Sequence, residues 1–299
     1  MARIPILIDT DPGVDDFFCL VLACARDDLL DLKAVCSIGG NNRTDVTTQN
    51  ALDILKLCGK EEIPVARGAN RFLSHEFGEP VVRFHGKNGL GNVTIPKSDR
   101  LPDALPAWDK LYEIAKANNG ELVLVTVAPL TNVAMALQKY PDLPQYLKKI
   151  VMMGGSLTAG NLTPYAEANA GNDAEASDIV FSSGVPIDMI GLNVTRKCPI
   201  RTDVFERCGM DMDPFIRDVM KELISFRNGE AMHDIIALST LIDEEIMTWE
   251  RGTVRIELND AERKGQTVFT ADRDGTVRAA VGVNPDRYDT VIGDMLKKL

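Results

Sequence analysis

Short, mostly apolar runs recur along the first two thirds of the chain, each closed by a polar or glycine-rich break. Ile4–Ile8, Leu32–Ile38, Ile63–Ala66, Leu122–Val127, Ile150–Met153 and Ile187–Leu192 are near-continuous rather than alternating, the pattern of strands buried on both faces. Between them lie stretches with helical spacing: Phe17–Leu22, Thr44–Cys58, Trp108–Ala117, Pro129–Leu137 and Ala174–Phe181. Strand and helix alternate from residue 4 to about 192, which predicts a mostly parallel, Rossmann-like sheet with helices on both faces. Further on, the spacing predicts helices over 214–226 and 235–247. Val254–Leu258 and Val277–Val283 alternate, which predicts exposed strands in a small C-terminal antiparallel extension. No linker or shift of composition divides the chain, so residues 1–299 are expected to form a single α/β domain. Regularity fades only between Gly68 and Pro106, a length that inside a compact domain signals function or mobility. The glycines of its His85-Gly86-Lys87-Asn88-Gly89-Leu90-Gly91 permit a lid-like conformation.

The densest polar break follows the first strand and reads Asp9-Thr10-Asp11-Pro12-Gly13-Val14-Asp15-Asp16. It places four carboxylates at the carboxyl end of a strand, where open α/β sheets put their ligands. A helix dipole favours nearby negative charge by only ~0.3–1 kcal/mol, too little to offset the mutual repulsion. A divalent cation is large enough, and oxygen-only ligands point to Ca²⁺ or Mg²⁺. A solvated acidic turn capping the helix accounts for one aspartate, not for four. Other strands end in Gly40-Asn41, Val127-Ala128-Pro129 and Met153-Gly154-Gly155, and parallel strands bring such ends to one edge. Asn161, Glu167 and Asn169 lie within nine residues and together suit recognition of hydroxyls. His233-Asp234 opens an apolar helix, where the aspartate taken alone reads as a cap.

Bulk properties narrow the classes. A net charge of −11 argues against non-specific binding to nucleic acid or an anionic membrane. Six cysteines occur without a CxxC spacing, so zinc and redox pairs are not expected. The opening Met-Ala-Arg-Ile-Pro lacks a signal-peptide layout, and the expected setting is the cytoplasm.

With DTDPGVDD after the first strand, Gly40-Asn41, HGKNGLG, APLTN, MGG, GNxTxxAExN, a late HD and the closing Val283-Asn284-Pro285-Asp286-Arg287-Tyr288, the chain resembles the nucleoside hydrolases, in particular the inosine–uridine type. The resemblance implies hydrolysis of the N-glycosidic bond of purine or pyrimidine ribonucleosides by a homodimer or homotetramer. It implies Ca²⁺ held by Asp11, Asp16, Asp234 and the Val127 carbonyl, with Asp11 as general base. It assigns Asp15, Asn41, Asn161, Glu167 and Asn169 to the ribose, with Met153 beneath the sugar. His233 would be the proton donor to the leaving base, and His85 would lie in the loop closing over it. The chain departs from the family pattern between residues 221 and 233, where KELISFRNGEAMH has no tyrosine. Phe226 can stack on a base but cannot donate a proton, and whether Phe226 or Arg227 takes the tyrosine's place stays open. Ala168 and Gly171 replace bulkier family residues and suggest a wider pocket. Two alternatives stand beside this reading. One is a Ca²⁺-dependent ribose- or nucleoside-binding protein without turnover. The other is a haloacid-dehalogenase-like phosphatase with Asp9 as nucleophile and Mg²⁺, which lacks a partner aspartate after Gly293-Asp294.

Overall fold

The computed structural model describes residues 2–299. Its first half runs β1 (Ile4–Thr10), α1 (Val14–Ala25), β2 (Leu30–Ser37), α2 (Thr44–Leu57), β3 (Val65–Arg67), the single turn α3 (Val82–His85), α4 (Ala107–Asn118), β4 (Leu122–Thr126), α5 (Thr131–Lys139) and β5 (Leu147–Met153). There follow α6 (Ala168–Gly171), α7 (Ala174–Phe181), β6 (Ile187–Ile190), α8 (Leu192–Thr195), α9 (Thr202–Cys208), α10 (Pro214–Phe226), α11 (His233–Ser239), β7 (Met247–Ile256), β8 (Thr267–Ala271), β9 (Val277–Val283) and α12 (Pro285–Leu296). The strands form one sheet in the order β3-β2-β1-β4-β5-β6-β9-β7-β8. Pairing is parallel from β3 across to β9 and antiparallel between β9, β7 and β8. This is a single α/β domain with a mostly parallel sheet and a C-terminal antiparallel part.

The central strands are apolar throughout because each of their faces meets a different helical layer. Ile6, Ile8, Val123 and Val125 pack with residues of α1, α2, α11 and α12, whereas Leu7, Leu122 and Leu124 pack with α4, α5 and α7. Strand order reverses between β1 and β4, so the carboxyl ends of these neighbours border the crevice where doubly wound sheets bind ligands. The Asp9–Asp16 turn and Val127 sit on that edge, and the Val127 N–H donates to the Asp9 carbonyl over 2.9 Å.

Two expectations are corrected. The helix over 235–247 ends at Ser239; a turn, a 3₁₀ segment at Glu244–Ile246 and the start of β7 occupy the rest. The apolar spacing continues past Ser239, but from Met247 the backbone pairs with β9 instead. The strand over Val277–Val283 is not at an exposed margin: it lies inside the sheet beside β6, with Val277, Ala279 and Ala280 buried. No helix among the described residues is long and apolar enough to cross a membrane.

Candidate active site

The Asp-rich turn is a structured cradle. The Asp16 carboxylate, on the first turn of α1, reaches back to bind the Thr10 hydroxyl and the backbone N–H of Gly13 at 2.9 Å. It also accepts the Asn41 side-chain amide at 3.0 Å, tying the end of β2 to the turn. Asn41 adds a backbone N–H to Asp11 Oδ2 at 2.7 Å, which fixes the plane of that carboxylate. The other oxygen, Asp11 Oδ1, is buried and has no hydrogen-bond partner among the described residues, and the same is true of Asp15 Oδ1. Asp234, on the first turn of α11, completes the group: Asp15, Asp16 and Asp234 offer oxygens within 4.8 Å of one another. Gly13 is required here, because a Cβ would overlap the His85 ring.

Burial drives the electrostatics. It pushes the Asp11 and Asp234 carboxyls well above the usual range, and the charges of neighbouring aspartates push them further. Asp16 is raised to about 6 by burial and by the charge of Asp15. Burial also acts on Asp15, but the charge of Arg227 above all opposes it, and that carboxyl stays below its ordinary value. Four buried carboxyls, three of them resisting ionisation and two with unpartnered oxygens, fit a hard divalent cation.

Opposite the aspartates lies a wall of nitrogen. His85, in α3, is buried, and its Nδ1 accepts the Val14 backbone N–H over 3.1 Å. Burial lowers its pKa to about 4, so the ring is neutral. The segment after it is docked rather than loose: Asn50 binds the Asn88 carbonyl at 2.9 Å and Asn42 that of Lys87 at 3.1 Å. His233 opens α11 with Nδ1 2.8 Å from the Thr195 hydroxyl, and burial lowers its pKa as well. Arg227, the residue after α10, is 7% exposed, with Nη1 3.7 Å from Asp15 Oδ1. Phe226, its neighbour, is half-buried with its ring against Gly91.

On the β5 side, Met153 is buried at the strand end, and the Asn169 amide binds its carbonyl at 3.1 Å. Glu167 caps α6; its carboxylate accepts the N–H groups of Gly155 at 2.7 Å, Asn169 at 2.9 Å and Ala170 at 3.1 Å. Burial still raises it to about 7, against the pull of those donors. Asn161 is exposed, and its carbonyl oxygen accepts the Ala168 N–H at 2.9 Å, a bond that shapes the loop before α6. Asp9 stands apart from the other aspartates. It is raised to about 7 by burial, and its Oδ1 accepts the amide of Asn132 over 2.8 Å. Asn132 also binds the Ser37 carbonyl at 3.2 Å and the Ala69 N–H at 3.0 Å, bracing the floor of the crevice. The APLTN motif marks Asn132 in the sequence without revealing this duty. Nothing local marks Thr195 as the residue that orients His233.

A buried carboxylate cluster at the switch point of a doubly wound sheet, faced by two neutral imidazoles and a guanidinium, defines an α/β enzyme for a small polar substrate. The chain belongs to the family described as inosine-uridine preferring nucleoside hydrolase, whose model matches residues 6–290, and it is an N-ribosyl hydrolase. It is 37% identical to a pyrimidine-specific ribonucleoside hydrolase RihA of Photobacterium profundum, covering 90% of this chain and 89% of that one. A solved plant nucleoside hydrolase, PpNRh1, superposes with a TM-score of 0.91 at 31% identity over 99% of both chains. A purine-preferring ribonucleoside hydrolase from Gardnerella vaginalis does so with a TM-score of 0.91 at 28% identity, over 99% of this chain and 100% of that one. The family displaces the phosphatase alternative. The relatives' names differ on the base, so likeness alone does not choose between purine and pyrimidine.

Proposed function

We propose that this ribonucleoside hydrolase depends on Ca²⁺, with Asp11 as general base and His233 as leaving-group acid. The observation that carries the reading is the unpartnered, buried Asp11 Oδ1 beside the Asp15–Asp16–Asp234 oxygen cluster. Asp11, Asp16, Asp234 and the Val127 carbonyl would hold the ion, which supplies the positive charge that lets these carboxylates ionise together and eases deprotonation of a nearby water. Asp11 takes the proton of the attacking water on Oδ1, while the Asn41 N–H on Oδ2 keeps the carboxylate from turning. Asp15, Asn41, Asn161, Glu167 and Asn169 bind ribose hydroxyls above Met153, and the carboxylates stabilise the positive charge that develops on the sugar. If the Thr195 hydroxyl donates to His233 Nδ1, the ring proton sits on Nε2, the tautomer able to protonate a departing base. The Val14 N–H imposes the same tautomer on His85. A cytoplasmic setting, in which free cysteines stay reduced, and a homodimer or homotetramer are part of this proposal.

The test is release of reducing sugar from inosine, uridine, cytidine and adenosine before and after Ca²⁺ is stripped. Chelation is expected to abolish turnover and Ca²⁺ to restore it. Asp11→Ala is expected to lose ~10²–10⁴-fold in kcat; near-normal turnover of that variant with Ca²⁺ bound removes Asp11 as the base. Silence on all four nucleosides by the folded, Ca²⁺-loaded protein returns the choice to a nucleoside-binding role.

A further inference from the structure

We propose that Arg227 is the specificity-determining residue at the leaving-group end of the site, where its guanidinium receives the 2-oxo oxygen of a departing pyrimidine. The inference rests on the hydrolase reading above and names the base that this site favours.

Arg227 is placed by local geometry. Asn228 and Gly229, with φ of 50° and 80°, turn the chain immediately after α10. The Glu230 N–H closes that turn on the Arg227 carbonyl at 3.0 Å. The side chain is thereby carried inward and is only 6% exposed, while Phe226 stays against Gly91. A guanidinium has five N–H donors. Among the described residues Arg227 makes one side-chain hydrogen bond, from Nη2 to the Ala231 carbonyl at 3.3 Å. Its Nε is buried without a hydrogen-bond partner, 3.5 Å from a Glu230 oxygen. Nη1 is 3.7 Å from Asp15 Oδ1, also beyond a good hydrogen bond. Buried donors left this short of acceptors are costly in a purely structural arginine. They are what a site offers to an acceptor that arrives with the substrate.

The chemistry selects the acceptor. Arginine does not give up its proton, so it cannot act as the acid that a tyrosine or histidine can be. It can bind an anion and hold it by two N–H groups. When the C1′–N bond breaks, its electron pair goes to the base, the water oxygen bonds to C1′ and the water's proton passes to Asp11. Proton transfer to the base then gives neutral base and ribose. In uracil and cytosine the departing nitrogen is flanked by a carbonyl, and the negative charge spreads onto that oxygen within reach of a cation. Adenine has no carbonyl and leaves most readily once a ring nitrogen is protonated, a cationic form that Arg227 opposes. Arg227 therefore favours 2-oxo pyrimidine nucleosides and disfavours adenosine.

The test compares uridine, adenosine and 4-nitrophenyl β-D-ribofuranoside in the Ca²⁺-loaded enzyme and its Arg227→Met and Arg227→Lys variants. The nitrophenyl riboside shares the ribose contacts, but its leaving group departs as a stable anion. Wild type is expected to prefer uridine over adenosine. In Arg227→Met, kcat/KM for uridine is expected to fall at least 100-fold, with a loss on the nitrophenyl riboside at least tenfold smaller. The uridine-to-adenosine ratio should narrow, and added guanidinium should restore part of the uridine rate. Arg227→Lys should lie between the two on the same comparison, which supplies the result if the methionine variant does not fold. Equal losses on uridine and the nitrophenyl riboside, or no loss on uridine, overturn the proposal and reduce Arg227 to a counter-ion for Asp15 while the hydrolase reading stands. A wild-type enzyme that releases ribose from none of the three removes both.

Discussion

Asp11 owes its position to a neighbour with no side chain. Its Oδ2 is pinned by the Asn41 N–H, and the residue before Asn41 is Gly40, where a Cβ would overlap that same oxygen and crowd Pro129. Gly40→Ala therefore turns the carboxylate away from Asn41 while leaving the apolar layers untouched. A displacement of about 1 Å at a reacting group can cost on the order of 10²-fold. That loss in kcat/KM is expected for Gly40→Ala, with a thermal midpoint close to that of the wild type. Steady-state uridine hydrolysis and calorimetry on the same preparation measure both; an alanine variant at full rate would mean that the plane of Asp11 does not matter.

Among the elements, the seam between the parallel sheet and its C-terminal part is held by charge. Asp188 on β6 lies opposite Arg278 on β9, accepts Nε at 2.6 Å and Nη2 at 2.8 Å, and takes Lys149 of β5 at 2.7 Å on the other side. The Arg278 guanidinium also lies over the Trp249 ring of β7 at 4.9 Å. Burial would raise the Asp188 carboxyl, but Arg278 and Lys149 outweigh it and hold it below the usual range. A carboxyl depressed in the folded state adds stability above its unfolded value of about 3.9, and that stability drains away as pH falls through the lower folded value. Asp188→Asn should cost about 1.5–3 kcal/mol at pH 7. That is less than for a fully buried pair, because the Lys149 and Arg278 side chains remain 25% and 28% exposed. Urea unfolding of both proteins from pH 7 to pH 3 should show the gap closing below about pH 4. A gap independent of pH would mean that the loss is one of packing, not of charge.

For the whole molecule, the proposed cation site would link ion binding to the fold. A chain of net charge −11 gathers Asp11, Asp15, Asp16 and Asp234 in its interior, so the ion-free protein carries repulsion that a bound divalent cation removes. An ion that binds only the folded state stabilises it by about 2.7 kcal/mol at 100 times its Kd. For a chain of this size that corresponds to a rise of roughly 4 °C in the thermal midpoint. Calorimetry over a Ca²⁺ series should show this rise, and Asp234→Asn should flatten it. A wild-type midpoint that ignores Ca²⁺ would argue that the cluster holds no cation in solution.

The sequence by itself determined the layered sheet and the location of the site. Strands buried on both faces must be apolar almost throughout, as Ile4–Ile8 and Leu122–Val127 are, and a run of four aspartates after such a strand has few other uses. It also supplied the names of the polar residues at the strand ends. Tertiary structure alone decided which of them meet. Asp15 and Arg227 are 212 positions apart and come together only because α1 and α11 pack side by side, with α10 leading into α11. The chain turns immediately after Arg227 through the left-handed Asn228-Gly229 pair, a feature that hydrophobic spacing does not register. The same limit explains β9: alternation reports that one face is covered, but not which strand stands alongside, and pairing with β6 is a property of the assembled sheet.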